Sequence, residues 1–368
     1  MRYTVCGRSY EIRALDPQLD ELFPRLHAAY LGAIAFPWNE MHEAARTYLS
    51  RVGSAPDPDQ HNAYFENFTI VWRYLLAAGS FDEAEGLWEM ALKPALEVER
   101  AGKGQRIHKG TPYYFWGITA ILRGDIDKGY ALVHQAVEED VATGNTDFPH
   151  NPAYALVTLN FEKLDQAFRP WVVKQAQYLK TRQEVYSAEY ARQFTLEDFR
   201  TRFLNSPPNR DVAFLFVYTV ARLMRLSTVP QYCMQSSFMG QLLINLFFDI
   251  TLCIESAASA KNPSSGTFIT HAEFIASRAR HPMSNKDLGD INKRFNQDFN
   301  GTLNLALDRR LPLLSGRNAD KAQSDISVAY GIRNRAAHDV SSAPIVWQKR
   351  DEIEQALLNV MFMTVDFV

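Results

Sequence analysis

The sequence predicts an all-α fold, with a helical-hairpin domain over residues 1–206 followed by a helical bundle over 207–368. Three observations carry that expectation. Apolar residues recur at helical spacing along most of the chain, and alternation is confined to residues 2–13, where a short strand or hairpin is expected. A segment of the first half repeats at an offset of 45 residues, as expected of paired helices rather than of a sheet. The strongest interruption is Asn205-Ser206-Pro207-Pro208-Asn209, because two adjacent prolines cannot sit inside a helix, and the domain boundary is placed there.

Composition narrows the classes of function. A chain of 368 residues can bury more than one core, and 46% hydrophobic with 22% charged residues is ordinary for a globular protein. The formal net charge of −3 gives no overall pull toward nucleic acid or an acidic membrane, so any basic patch has to be local. Cys6, Cys233 and Cys253 are too widely and irregularly spaced for a disulfide framework or a zinc site, which fits a reducing compartment. The first residues lack the apolar run of a signal peptide. The apolar run Leu242 to Ile254 reads as a buried core helix, too short to span a bilayer and interrupted by Asn245 and Asp249. A cytoplasmic protein without a membrane partner is therefore expected.

The first half is organised by the repeat. Leu75-Leu76-Ala77-Ala78-Gly79-Ser80-Phe81-Asp82-Glu83-Ala84 aligns with Ala120-Ile121-Leu122-Arg123-Gly124-Asp125-Ile126-Asp127-Lys128-Gly129. Each unit reads as a helix, a glycine turn with an acidic N-cap, and a second helix whose small residues permit close packing. Gly117, Gly129 and Ala136 have the spacing of the small positions of a tetratricopeptide repeat, and Trp72, Ala84 and Ala91 fill the same places one unit earlier. Residues 62–143 thus resemble a degenerate pair of such repeats. The resemblance implies stacked helical hairpins with a surface for a protein, peptide or nucleic-acid partner, and a hairpin domain that binds nothing there is the alternative. Between the units, the stretch from Lys103 to Gly110 lacks the order of a phosphate-binding loop and reads as a long solvated connection. No H-E-x-x-H, paired C-x-x-C, Rossmann glycine fingerprint or G-x-S-x-G elbow is present.

The chemistry-bearing stretch lies near the end. On a helical wheel Ala322, Ile326, Ala329, Ala336 and Ala337 share a face, and Arg333 falls in the middle of it. A guanidinium on an apolar face needs an acidic partner on another helix, an anionic ligand or an open cleft. His338 follows five residues on, where Ser341-Ser342-Ala343-Pro344 is expected to end the helix, and a helix C-terminus favours a protonated imidazole.

Arg333-Asn334-Arg335-Ala336-Ala337-His338 resembles the R-N-x-x-x-H signature of HEPN domains, near the end of a bundle helix and followed by another amphipathic helix, here Trp347 to Phe367. Residues 234–258 and 286–309 would supply earlier helices of such a bundle. Family ribonucleases cut RNA without a metal or cofactor, using the RNA 2′-hydroxyl as nucleophile. The resemblance therefore implies His338 for proton transfer, Arg333 for the phosphate, Asn334 to orient either, and a homodimer with one motif from each subunit. Arg309, Arg310, Arg317, Lys321 and Arg335 give residues 309–335 six basic side chains, counting Arg333, against two acidic ones, and are expected to contact RNA. The competing expectation is a non-catalytic interaction or nucleotide-binding protein in which Arg333 pairs with an acid. Gly331, inside the predicted helix, costs that helix about 1 kcal/mol against alanine.

Overall fold

The computed structural model describes residues 1–32, 35–53, 58–102, 106–144, 151–206, 209–229, 237–263, 267–278, 281–334 and 342–367. The fold is all-α apart from one small two-stranded sheet. The chain divides into two compact units, residues 1–156 with 162–169, and residues 157–161 with 170–368.

The first unit opens with antiparallel strands β1 (Arg2–Val5) and β2 (Arg8–Glu11), in the register Tyr3 opposite Tyr10. Their two-residue turn is Cys6-Gly7, both at positive φ (50° and 76°), the geometry that matches the twist of a hairpin. Helices α1 (Pro17–Gly32), α2 (Trp38–Val52), α3 (Pro58–Ala77), α4 (Phe81–Ala101), α5 (Gly110–Arg123) and α6 (Ile126–Ala142) follow, and α7 (Pro152–Val157) leads out of the unit.

The 45-residue repeat corresponds to the hairpins α3/α4 and α5/α6. Both turns pass through a left-handed glycine, Gly79 at φ 73° and Gly124 at φ 107°, a conformation that strains other residues. Close packing differs between the two. In α5/α6 a Cβ at Gly117 would lie 2.7 Å from Val133 Cγ2, and one at Gly129 would collide with Ile121, so backbone meets backbone. In α3/α4 the place of Gly117 is taken by Trp72, fully buried and donating from Nε1 to Thr119 Oγ1 of α5 at 2.8 Å. The acidic N-cap holds only for the second hairpin, where Asp125 accepts from Lys128 N. Ser80 stands in its place in the first and makes no side-chain cap.

The expected solvated connection is the clearest departure in this unit. Of the stretch 103–110, residues 106–110 are described, and Ile107, His108 and Lys109 are buried. Lys109 Nζ lies 2.5 Å from Glu99 and 3.1 Å from Glu139, and His108 Nε2 lies 2.7 Å from Asp140 Oδ1. Acids on two different helices, Glu99 of α4 and Glu139 and Asp140 of α6, turn a basic loop into a buried ionic plug, which counting charges along the loop cannot reveal.

The boundary between units falls at residues 157–170 and not at 206–207. The reason is α8 (Arg169–Tyr190), whose aromatic and polar residues join the second unit. Tyr178 hydrogen-bonds Glu354, Arg182 Nε pairs with Glu354 at 3.0 Å, Tyr186 donates to Asp366 at 2.9 Å and Tyr190 to Asp325 at 2.6 Å. Pro207 and Pro208 lie outside the described residues, between a turn of π-helix (Arg200–Leu204) and α10 (Arg210–Ser227), so that interruption separates elements of one unit.

The second unit also contains α9 (Leu196–Phe199), α11 (Ser237–Lys261), α12 (Phe268–Ser277), α13 (Asn285–Gln297), α14 (Phe299–Leu307), α15 (Lys321–Asn334), α16 (Ala343–Gln348) and α17 (Arg350–Asp366). The run 242–254 is the middle of the 25-residue α11, which by length and composition could cross a bilayer, with over half of its most apolar window buried within the protein. The helix expected over 286–309 is two helices. Asp298 adopts an extended backbone between them and caps α14 by accepting from Gly301 N. The final helix is likewise broken, at Lys349.

Helix α15 is the axis of this unit, packed against α11, α12, α13, α14 and α17. Every residue from Ala322 to Ile332 is buried, so Ala322, Ile326 and Ala329 are not set apart from the other faces of the helix; Ala336 and Ala337, the rest of the expected apolar face, lie outside the described residues, and Arg333 itself is partly exposed. Asp325 on α15 is enclosed, accepting from Tyr190, from Asn359 Nδ2 at 2.7 Å and from Lys321 at 2.9 Å. Burial raises its pKa, and Lys321 and the two hydrogen-bond donors oppose that shift.

Candidate functional site

The C-terminal end of α15 carries Arg333 and Asn334, the first two residues of the motif. Arg335 and His338 lie outside the described residues, as do Ala336 and Ala337. The site can therefore be built only around the arginine.

Arg333 is held from α11. Its Nε donates to Glu255 Oε2 at 3.2 Å, and its guanidinium lies 4.7 Å from the centre of the Phe248 ring. Phe248 and Glu255 are seven residues apart, two helical turns, and so share a face of α11. One ring face and one carboxylate thus fix the fork of a side chain that remains 27% exposed, beside a Glu255 that is 23% exposed. That is enough exposure for an anion to reach the guanidinium, and enough cover to hold it in one orientation. The sequence argument required an acid on another helix, an anionic ligand or an open cleft; the first is Glu255.

Asn334 hydrogen-bonds the phenol of Tyr330, one turn back. Burial raises the Tyr330 pKa, and that hydrogen bond opposes the rise. Tyr330 stacks on Phe268 of α12 with centroids 6.1 Å apart and planes at 12°. His271, one turn after Phe268, is buried; burial lowers its pKa and the charge of Glu255 counteracts that. Gly331 has its packing reason here. A Cβ at this position would stand 2.5–2.7 Å from three carbons of the Phe295 ring, so α13 approaches α15 to a distance that only glycine permits.

The remaining predicted RNA contacts are elsewhere. Lys321 is twelve residues before Arg333 on the same helix, about 18 Å along its axis. It pairs with Glu189 at 3.3 Å and Asp325 at 2.9 Å. Arg309, in a left-handed conformation just past α14, pairs with the same Glu189 at 3.1 Å. Arg310 and Arg317 are exposed in the turn region before α15. Lys321 and Arg309 therefore meet at Glu189, near the start of α15, and not at Arg333 near its end.

Glu255, Phe248 and His271 were not singled out by sequence reasoning. The need of Arg333 for an acid pointed toward a residue like Glu255, but nothing in the spacing said which helix would supply it.

Comparison of the chain with protein-family models, with curated proteins and with solved structures finds no match in any of the three.

Proposed function

We propose that the second unit is a metal-independent endoribonuclease of the HEPN type, acting on single-stranded RNA as a cytoplasmic homodimer in defence or stress response. The observation that carries this reading is Arg333: a guanidinium at the end of a buried helix, fixed by Phe248 and Glu255 yet open to an anion, immediately before Asn334 and five residues ahead of His338 in R-N-x-x-x-H spacing. In the reaction His338 moves the proton of the attacking 2′-hydroxyl or of the leaving oxygen, and Arg333 binds the phosphate oxygens whose charge grows in the transition state. Products carry a 2′,3′-cyclic phosphate, and DNA resists because it lacks the nucleophile.

The Arg333–Glu255 pair also favours the second reading, a non-catalytic interaction or nucleotide-binding protein in which this arginine is satisfied by its acid. One experiment separates the two. Purified protein is incubated with single-stranded RNA in chelator beside Arg333→Lys, Arg333→Ala and His338→Ala, each checked for folding by circular dichroism. Cleavage that disappears in His338→Ala and falls in both Arg333 variants supports the ribonuclease. Cleavage retained in the folded variants, or absent with every RNA offered, leaves the interaction role.

A further inference from the structure

The first unit contains a cavity of about 470 Å³ between α3, α5 and the start of α7, a size typical of small-ligand sites. We propose that it binds a ribonucleoside 5′-monophosphate, a role independent of the chemistry assigned to the second unit.

The floor is a buried polar chain. Asp140 accepts from His108 Nε2 at 2.7 Å and from the Asn151 amide, and Asn151 Oδ1 in turn accepts from Ala153 N at the first turn of α7. His108 Nδ1 lies 3.0 Å from Asn62 Oδ1, and that oxygen accepts from Thr111 Oγ1 at 2.9 Å. Burying an ionisable dyad among amides is costly, and the Thr111 hydroxyl beside it occupies the Asn62 oxygen, so the Asn62 amide N–H groups are the ones left for the cavity.

Above this floor the lining of α3 forms one row. Asn62, Glu66 and Arg73 sit at i, i+4 and i+11 on the face that lines the cavity, about 16 Å from end to end. Each is preorganised. Glu66 Oε2 receives Arg13 at 2.7 Å, which leaves its other oxygen for a ligand. Arg73 is tied to Asp165 at 2.6 Å and held over the rings of Tyr10 and Trp72 at 4.8 and 5.4 Å. Helical side chains lean toward the helix N-terminus, which brings the Arg73 guanidinium back over the cavity.

Read along the row, the groups are an amide donor, a carboxylate acceptor and a guanidinium, and Phe115 offers an aromatic wall from α5. A nucleotide presents the matching order: ring nitrogens and carbonyls that accept, ribose hydroxyls that donate to a carboxylate, and a phosphate for the arginine. The row carries one arginine and one glutamate, each already tied to a partner, which suits a single phosphate better than a polyanion.

The test is isothermal titration of the full chain with AMP, GMP, CMP and UMP, with the corresponding nucleosides and with 2′,3′-dideoxynucleotides, beside Glu66→Gln and Arg73→Lys. At least one monophosphate is expected to bind with Kd of about 100 μM or tighter. Glu66→Gln, at a half-exposed side chain that folding tolerates, should weaken it roughly tenfold, as should removal of the ribose hydroxyls. Arg73→Lys should weaken the nucleotide and spare the nucleoside. The proposal is overturned if none of the four binds, or if Glu66→Gln and the dideoxy ligands leave affinity unchanged. Because the readout is binding by the first unit, the result is separate from whether RNA is cleaved.

Discussion

Gly331→Ala is the sharpest test of how the core of the second unit holds its candidate site. Helix propensity alone predicts stabilisation by about 1 kcal/mol, because alanine loses less backbone freedom on folding. Packing predicts the reverse. The new Cβ would lie 2.5–2.7 Å from the Phe295 ring, whereas carbon atoms rest at about 3.5–4.0 Å, so the ring or the helix must retreat by about 1 Å. Phe295 is fully buried with its ring 5.5 Å from that of Phe299, so it has no open side to move into. Overpacking of this kind costs roughly 3 kcal/mol, leaving a net loss of about 2 kcal/mol. Hydrogen exchange of the α15 amides is the assay of choice, since it reads this helix without assuming that a chain of two units unfolds in one step. Phe295→Leu should relieve the clash, so the double variant is less destabilised than the sum of the singles by about 1–2 kcal/mol. A Gly331→Ala protein as stable as the parent, or a cycle with no coupling, would refute the argument that Phe295 dictates glycine here. Arg333 lies two residues on, so the same retreat of α15 should also lower any ribonuclease activity.

Two further predictions concern other parts of the molecule. Gly129 and Gly86 are both helical glycines, but a Cβ at Gly129 collides with Ile121 whereas one at Gly86 meets nothing within 4 Å. Gly86→Ala should therefore stabilise the first unit by up to about 1 kcal/mol and Gly129→Ala should destabilise it by roughly 1–3 kcal/mol, measured by denaturant unfolding followed through the tryptophans of that unit; effects of equal sign would sink the packing argument. Lys261, which donates to the carbonyls of Thr364 and Val365, has its pKa pushed down to about 8 by burial and by the nearby cations Arg202 and Arg278. Its native state thus holds the proton more weakly than the unfolded chain. The associated stability is complete above the ordinary lysine pKa and is lost as pH falls from about 10.5 to about 8. After discounting for its half-exposed position, the difference in unfolding free energy between the parent and Lys261→Met should change by about 1–2 kcal/mol across that window, and a flat difference would argue against it.

The sequence by itself determined the all-α class and the two hairpin turns, though not the breaks at Asp298 and Lys349. Glycines 79 and 124 announce two turns because only a left-handed backbone closes them, and the apolar spacing announces helices because burying one face is what keeps them folded. It also singled out Arg333, since a guanidinium among apolar neighbours demands a partner wherever the chain goes. Only the tertiary structure decided what depends on distant segments. Glu255, 78 residues away, satisfies that arginine; Phe295 requires Gly331; Glu99, Glu139 and Asp140 draw the basic loop 106–110 inward; and α8 joins the second unit through Glu354 and Asp366. The burial of α15 has the same origin: helical periodicity states which residues share a face, but packing against five other helices buries every residue from Ala322 to Ile332, and a periodic pattern carries no information about the number of neighbours.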